Sequence, residues 1–437
     1  MGKGNKPDPP SLQKYGVPFY SAAWVPFKEV RSKLQPLDPH KSGDKDEDSG
    51  KETSPPGAQQ EIADQYYLVF AGGGGEGRSG IPNAIVLSHF DFASNSLSAQ
   101  PAVKLGLGSD LPYRMAVHPG GEGLICALPK SCRFFNWDEA KDNDAHKLDI
   151  KESLKVLTQL EDIGQQLALA FNNDGSVLAV GGEDGYLRVF KWPSMEIILN
   201  EAEAHASLKH LCFSPDGKFL VSLGSRGPGR VWNMTSSTVV ASLSKDNDEV
   251  FASCSFSQSS DKTQVLYIAA ITGKGGNIQT WDTSSWKRIG SKNISRDSVS
   301  SFSVSPDGKF LAMGTVQGDV LIINSISMQV QTVVRKAHLG MVTALAFSHD
   351  SRALVSASMD SSARVTPVEE IKSGGLSLWI ILFVILLAIV VYFMKKGLLP
   401  FLGMSCGLSS AFLFIATRAG NSVCLYVDSC VSVHTHG

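Results

Sequence analysis

Between residues 117 and 365 short apolar or alternating runs recur at regular intervals, each separated from the next by a polar turn. Residues 171–192 read FNNDGSVLAVGGEDGYLRVFKW, and 213–232 read FSPDGKFLVSLGSRGPGRVW. Residues 304–324 read VSPDGKFLAMGTVQGDVLIIN, and 347–365 read FSHDSRALVSASMDSSARV. Two looser copies occupy 117–137 and 256–281. Each copy has an apolar end, a tight turn, an alternating run, a second polar turn and a short strand. Proline presets φ for a turn and glycine supplies positive φ, so Ser-Pro-Asp-Gly joins antiparallel strands. Runs such as FLVSLGS stay apolar, as strands buried between stacked sheets do. A repeat of about 40–50 residues built from four short strands is a propeller blade. Blades packed around an axis leave only short sheet edges.

The segments 15–26 (YGVPFYSAAWVP) and 66–90 supply strands of one further, divergent blade. The expected fold is therefore all-β, a seven-bladed WD-type β-propeller over 15–368, with six blades as the alternative. Residues 1–14 read as an N-terminal extension. Residues 35–60 are charged and poor in aromatic and β-branched side chains, so they cannot offset their ordering entropy, and they read as a disordered insertion. His205 and His338 each precede an inner strand, where a histidine in a WD-type repeat serves hydrogen bonding within the blade rather than catalysis.

A different pattern follows the repeats. Residues 376–394 read LSLWIILFVILLAIVVYFM, with no charge and no polar face. At 1.5 Å per residue this stretch nearly matches the roughly 30 Å hydrocarbon core of a bilayer. Trp379 and Tyr392 lie near its ends and Lys395–Lys396 follow, as at a membrane boundary. The expectation is a C-terminal transmembrane helix that anchors a cytosolic propeller, because no apolar signal region precedes the repeats. Residues 398–417 are uncharged but broken by Pro400, Gly403 and Gly407, and are a candidate second hydrophobic segment within the tail 397–437.

Composition narrows the chemistry. The net charge of −2 excludes a nucleic-acid binder held by bulk charge, and seven cysteines in 437 residues do not make a disulfide scaffold. No Walker, Gly-x-Ser-x-Gly or His-Glu-x-x-His motif occurs. Cys212 and Cys254 lie in strand-like runs, where a free thiol behaves as a small core residue.

One segment lacks a structural excuse. Residues 71–83, AGGGGEGRSGIPN, place six glycines in thirteen residues between two apolar strands. Glycine loses the most entropy on folding, so such a loop needs a reason. A phosphate cradle is one reading, but there is no Gly-Lys-Ser/Thr and the loop opens a strand rather than a helix. A hairpin of no consequence is another. A third is a backbone-rich cradle, whose crowded carbonyls coordinate a hard cation and whose edge approaches a partner. In that reading Pro82 stiffens the exit, Ile81 is an apolar anchor, Arg78 a mobile charge, and Asn83 bonds a partner through donor and acceptor.

The YGVPFY strand, the AGGGGEGRSGIPN loop, the divergent propeller, the KAH…FSHDS last blade and the C-terminal apolar segment together resemble the plant SEC-twelve-like family. This family comprises ER-anchored WD-repeat exchange factors related to prolactin regulatory element-binding protein. The resemblance covers nearly all of residues 15–396. It implies a guanine-nucleotide exchange factor for a Sar-type small GTPase that starts COPII assembly at the endoplasmic reticulum membrane, single-pass, with the propeller in the cytosol. It also implies a potassium ion braced by Gly72, Gly73, Gly74, Gly75, Glu76 and Gly77, mainly through carbonyls. Gly80, Ile81, Pro82 and Asn83 complete the loop, with Asn83, Ile81 and Pro82 as the GTPase-contacting residues and Asn83 foremost among them. The alternative is a non-catalytic paralogue that helps specific cargo, such as phosphate transporters, leave the ER. Arg78–Ser79 departs from the family's loop, and the tail after Lys396 has no counterpart in it.

Overall fold

The computed structural model describes residues 8–34, 65–75, 79–139, 148–258, 264–369 and 378–396. The expected disordered insertion at 35–60 and the segment 398–417 lie outside the described residues. The chain divides into two compact units, Met1–Glu370 and Ile371–Gly437.

The described strands of the first unit form seven antiparallel sheets. Blade 1 holds Phe19–Trp24, Tyr66–Gly72 and Ala84–Asp91, with Ser96–Leu97 and Val103–Gly106 both pairing with its third strand. Blade 2 runs from Arg114–Val117 through Leu148–Glu152, and blade 3 from Gln166–Phe171 through Glu196–Glu201. Blade 4 runs from Leu208–Phe213 through Thr238–Leu243, blade 5 from Val250–Gln258 through Lys287–Ser295, and blade 6 from Val299–Val304 through Val330–Val334. Blade 7 holds Val342–Phe347, Ala353–Ser358 and Ser362–Pro367.

The fourth strand of blade 7 comes from the other end of the chain. Leu12–Lys14 pairs antiparallel with Ser362–Pro367, with Leu12 opposite Arg364 and Lys14 opposite Ser362. Val365 also donates to the Ser11 carbonyl at 2.9 Å. The sequence boundary at residue 15 is corrected accordingly: residues 12–14 belong to the propeller. Three residues are too few to show an alternating pattern, and the partner strand lies far away in sequence. Across the same seam Trp24 Nε1 donates to the Ala346 carbonyl at 3.0 Å, and Thr343 Oγ1 to the Phe19 carbonyl at 2.6 Å. Phe19, Phe70, Val86, Val355 and Val365 fill the space between blades 7 and 1.

The repeated turns share one mechanism. Ser214 donates to Asp216 Oδ1 at 2.6 Å and accepts from Phe219 N at 2.9 Å. Ser305, Asp307 and Phe310 repeat both bonds at 2.6 and 2.9 Å, and Ser348, Asp350 and Ala353 at 2.6 and 3.0 Å. The position after the aspartate needs positive φ. Gly217 and Gly308 supply it, and in the last copy Ser351 adopts φ 61°.

The two repeat histidines are structural. His338 is buried and touches Ser362 Oγ at 2.5 Å and Ser356 Oγ at 2.8 Å. His205 Nε2 meets Ser222 Oγ at 2.8 Å, and Trp232 Nε1 donates to the same hydroxyl at 2.8 Å. Blade 5 replaces this arrangement with Glu249, which accepts from Gln279 Nε2 at 2.8 Å and from Arg288 at 3.0 Å.

Two α-helices are described. Helix α1 (Phe27–Leu34) connects the first two strands of blade 1 and buries Phe27 and Val30. Helix α2 (Leu378–Lys395) has 18 residues and belongs to the second unit. Its length is about 27 Å at 1.5 Å per residue. Among the described residues no helix is long and apolar enough to cross a membrane.

Burial pulls the His338 imidazole down to about 4, despite the nearby Asp360 carboxylate. Its folded-state value thus lies below the unfolded one, so unfolding takes up a proton. The stabilisation is complete above about pH 6.5 and is lost as pH falls toward 4. At full effect it amounts to roughly 3 kcal/mol, since one pKa unit is about 1.4 kcal/mol. The melting temperature is expected to fall steadily from pH 7 to pH 4.5. In His338→Asn it is expected to be lower at pH 7 and to change less with pH; an unchanged pH slope in that variant contradicts the assignment.

Candidate functional site

Antiparallel order sets which connections share a face. Within each blade the second-to-third turn lies at the same end as the link arriving from the previous blade. The glycine loop between Tyr66–Gly72 and Ala84–Asp91 therefore stands beside two such links, residues 15–18 and 107–113. Both hold it. Gly73 N donates to the Pro18 carbonyl at 2.9 Å, and Leu107 N to the Asn83 carbonyl at 2.9 Å.

Asn83 is the centre of the loop. Its side chain is buried, with 2% of the residue exposed. Oδ1 accepts from Gly75 N at 3.0 Å, and Nδ2 donates to the Gly75 carbonyl at 3.2 Å. The second Nδ2 proton goes to the Gly108 carbonyl at 3.0 Å. One amide thus mimics a strand partner for Gly75 and ties it to the link into blade 2. The sequence reading cast Asn83 as the contact residue. In the fold it points inward and braces the loop, because both its donors and its acceptor are used internally.

The glycines have distinct reasons. A Cβ on Gly72 would sit 1.9 Å from the Pro18 carbonyl oxygen. One on Gly73 would sit 2.1 Å from Asn83 Oδ1 and 2.5 Å from Asn83 Cα, at φ +156°. One on Gly74 would meet Ser79 Oγ at 2.3 Å and Ile81 Cβ at 2.8 Å. Gly75 is different: its Cβ position is open, with Leu111 Cδ2 nearest at 3.9 Å, but its φ is +82°. The entropic cost of glycine is accepted because the loop folds onto its own side chains.

With the base of the loop filled, residues 79–82 face outward. Ser79 Oγ accepts from Ile81 N at 3.3 Å. Ile81 is 39% exposed, an apolar side chain presented to solvent on a held backbone, and Pro82 beside it is exposed too. Glu76, Gly77 and Arg78 lie outside the described residues. Gly108 and Pro18 are site residues that sequence reasoning missed. Gly108, at φ +61°, had only the pattern GLGSD to signal a turn.

Among the described residues no group of three His, Cys, Asp or Glu side chains could hold a metal ion. The loop's donors are oxygens. The Gly75 and Gly108 carbonyls converge on Asn83 Nδ2, and each carbonyl keeps a second lone pair. Neutral carbonyl oxygens are donors of the kind a hard cation of low charge takes, but these two are turned to an N–H donor, and the expected ligands Glu76 and Gly77 lie outside the described residues.

Fold and site define a class: a WD-repeat propeller that carries a braced, glycine-rich loop. Residues 159–191 and 329–366 match the family described as "WD domain, G-beta repeat". The chain is 54% identical over 363 residues to SEC12-like protein 2 of Arabidopsis thaliana, covering 83% of this chain and 89% of that protein. It is 32% identical over 289 residues to SEC12-like protein 1 of Arabidopsis thaliana, covering 65% and 71% respectively. It is 25% identical over 329 residues to the guanine nucleotide-exchange factor SEC12 of Mus musculus, covering 64% and 78%. The chain belongs to the SEC12-like family.

The loop geometry orders two substitutions. Gly75→Ala is expected to cost about 1–2 kcal/mol, the left-handed penalty alone. Gly73→Ala is expected to cost more, because its methyl group collides with the Asn83 backbone. Denaturant melts of the two variants check the order; equal losses contradict the packing described.

Proposed function

We propose that this chain is a guanine-nucleotide exchange factor for a Sar-type small GTPase, acting at the endoplasmic reticulum membrane to start COPII assembly. The observation that carries the reading is the braced loop: buried Asn83 fixes Gly75, the Pro18 carbonyl holds Gly73, and Ile81 with Pro82 stands exposed. A loop ordered before binding loses less entropy when it docks, so more binding energy remains for the partner. A partner that binds the nucleotide-free GTPase more tightly than the GDP-bound form must weaken GDP binding by the same factor. Ile81 and Pro82 are the contact residues, and Asn83 is their positioning residue. The family relation to the mouse exchange factor supports this reading.

Potassium is part of the proposal. The carbonyls of Gly72–Gly75 and Gly77, with Glu76, are its expected ligands. When bound, the ion supplies a fixed positive charge that neutralises crowded carbonyl dipoles. The apolar run 376–394 is the proposed single-pass anchor, and the cytosolic side is the proposed side for the propeller.

A second reading has its own support. The chain is 54% identical to a relative named SEC12-like and 25% identical to one named an exchange factor. On this reading the propeller is a non-catalytic adaptor for ER exit of specific cargo, such as phosphate transporters.

Nucleotide exchange separates the two. The full chain in liposomes is mixed with a Sar-type GTPase loaded with GDP and excess GTP, in potassium or in sodium. The exchange reading predicts at least tenfold acceleration, reduced in sodium. Ile81→Ala is expected to lower the rate about tenfold at unchanged melting temperature. Asn83→Ala lowers both, costing about 1–3 kcal/mol of stability because the Gly75 N–H loses its acceptor. No acceleration by the folded chain moves the assignment to the adaptor.

A further inference from the structure

The first strand of each blade forms the wall of the central channel, and residues from all seven first strands line one cavity of about 250 Å³. A regular strand sends successive side chains to opposite faces. Here six of the seven strands slip by one residue in their pairing, at Tyr20, Leu167, Lys209, Ala252, Ser300 and Thr343. A bulge re-aims its side chain, and all six residues line the cavity. The residue after each bulge joins it in the wall, which brings Ser21, His210, Ser253 and Ser301 there. Arg114 joins them from the first position of its own strand. One step further along the strands the wall is apolar, with Met115, Leu169, Leu211, Phe302 and Leu345. The first strands start at the face that carries the glycine loop, so the polar level is the outer one.

Two cations stand in this wall, Arg114 and Lys209, and no carboxylate does. Among the described residues neither forms an ion pair. Arg114 donates to the Leu167 carbonyl at 3.0 Å and to the Tyr113 carbonyl at 3.1 Å. These bonds hold the guanidinium across blades 2 and 3 and leave its other N–H groups unspent. Ser253 also has a proton to give. Cys254 N donates to His210 Nδ1 at 3.4 Å, so Nε2 carries the ring proton, and Nε2 lies 3.1 Å from Ser253 Oγ. The hydroxyl accepts there and keeps its own proton for another acceptor.

We infer that the loop-side mouth of the channel binds a phosphate group, held by the Arg114 guanidinium, the Lys209 ammonium and the Ser253 hydroxyl. Two cations without a carboxylate match the charge of a phosphate dianion. The arginine fork takes two phosphate oxygens at once, and lysine supplies a point charge. The electrostatics agree. Arg114 is open to water along the channel but walled by protein at its sides, and this burial pulls its guanidinium below the usual value. An anion in the channel restores what the lost hydration took away. Burial pulls the His210 imidazole down to about 4, with the Arg114 charge adding to it, so the ring is neutral near pH 7 and serves as the donor to Ser253. The inference stands on the cavity and does not rest on the exchange reading.

The test uses the full chain in maltoside micelles, titrated calorimetrically with inorganic phosphate or glycerol 3-phosphate at an ionic strength held constant by sodium chloride. Wild type is expected to bind one phosphate per chain with a dissociation constant of about 1 mM or tighter. Lys209 is exposed and makes no bond within the fold, so Lys209→Gln is expected to weaken binding about tenfold at unchanged melting temperature. Arg114→Gln is expected to weaken it further and to lower the melting temperature, because two carbonyls lose their donor. Lys287→Gln, an exposed cation on the outer strand of blade 5, should leave binding as it was. Tighter binding of glycerol 3-phosphate identifies a phosphate ester as the ligand, and tighter binding of inorganic phosphate identifies the free ion; both orders support the site. Absence of saturable binding in wild type overturns the inference. So does binding that Lys209→Gln leaves intact, or that Lys287→Gln weakens as much as Lys209→Gln does. The two lysine variants decide the matter even if Arg114→Gln does not fold.

Discussion

The reading of this molecule depends on the side-chain amide of Asn83. It gives and receives hydrogen bonds at Gly75 and spends its remaining proton on Gly108. A run of glycines has no side chains with which to hold a shape, and each carries the largest backbone entropy. One buried amide solves this by acting as a strand partner where no strand exists. Because Asn83 is 2% exposed, that pairing does not compete with water. The same bonds decide which residues can meet a partner: the brace faces in, and Ile81 with Pro82 faces out.

The brace works only because the propeller presents fixed points around it. Pro18 and Gly108 belong to the links that enter blades 1 and 2, so the loop is tied to two separate connections. The Pro18 link follows the strand that closes the ring. Leu12–Lys14 completes blade 7, and Tyr15, next in the chain, donates to the Ser98 carbonyl at 2.7 Å within blade 1. On the other side, Arg114 donates to the Tyr113 carbonyl at 3.1 Å and to the Leu167 carbonyl at 3.0 Å, fixing the end of the second link against blade 3. Ring closure and loop order are thus parts of one network near the N-terminus.

The sequence revealed what local chemistry controls. The Ser-Pro-Asp-Gly turns announce themselves because serine, aspartate and the positive-φ residue act within five positions of one another. The two histidines beside inner strands were readable as blade-internal for the same reason. Long-range pairing was not readable. Leu12–Lys14 carries no pattern of its own and finds its partner at the opposite end of the propeller. Helix α1, next to the charged insertion, gave only a short amphipathic signal over Phe27–Leu34. The glycine loop was legible as an anomaly, but the direction of Asn83 was not. An asparagine at a loop end serves a partner or its own backbone equally well, and only the positions of Gly75 and Gly108 decide between them.

Hydrogen–deuterium exchange on the loop peptides, read to single-amide resolution, tests the central claim most directly. The Gly75 amide should be protected in the free protein and lose that protection in Asn83→Ala, while blade amides stay unchanged. Addition of the nucleotide-free GTPase should then protect the amide of Ile81. A Gly75 amide that exchanges freely in wild type, or one indifferent to Asn83, contradicts the account of the loop as a braced docking element.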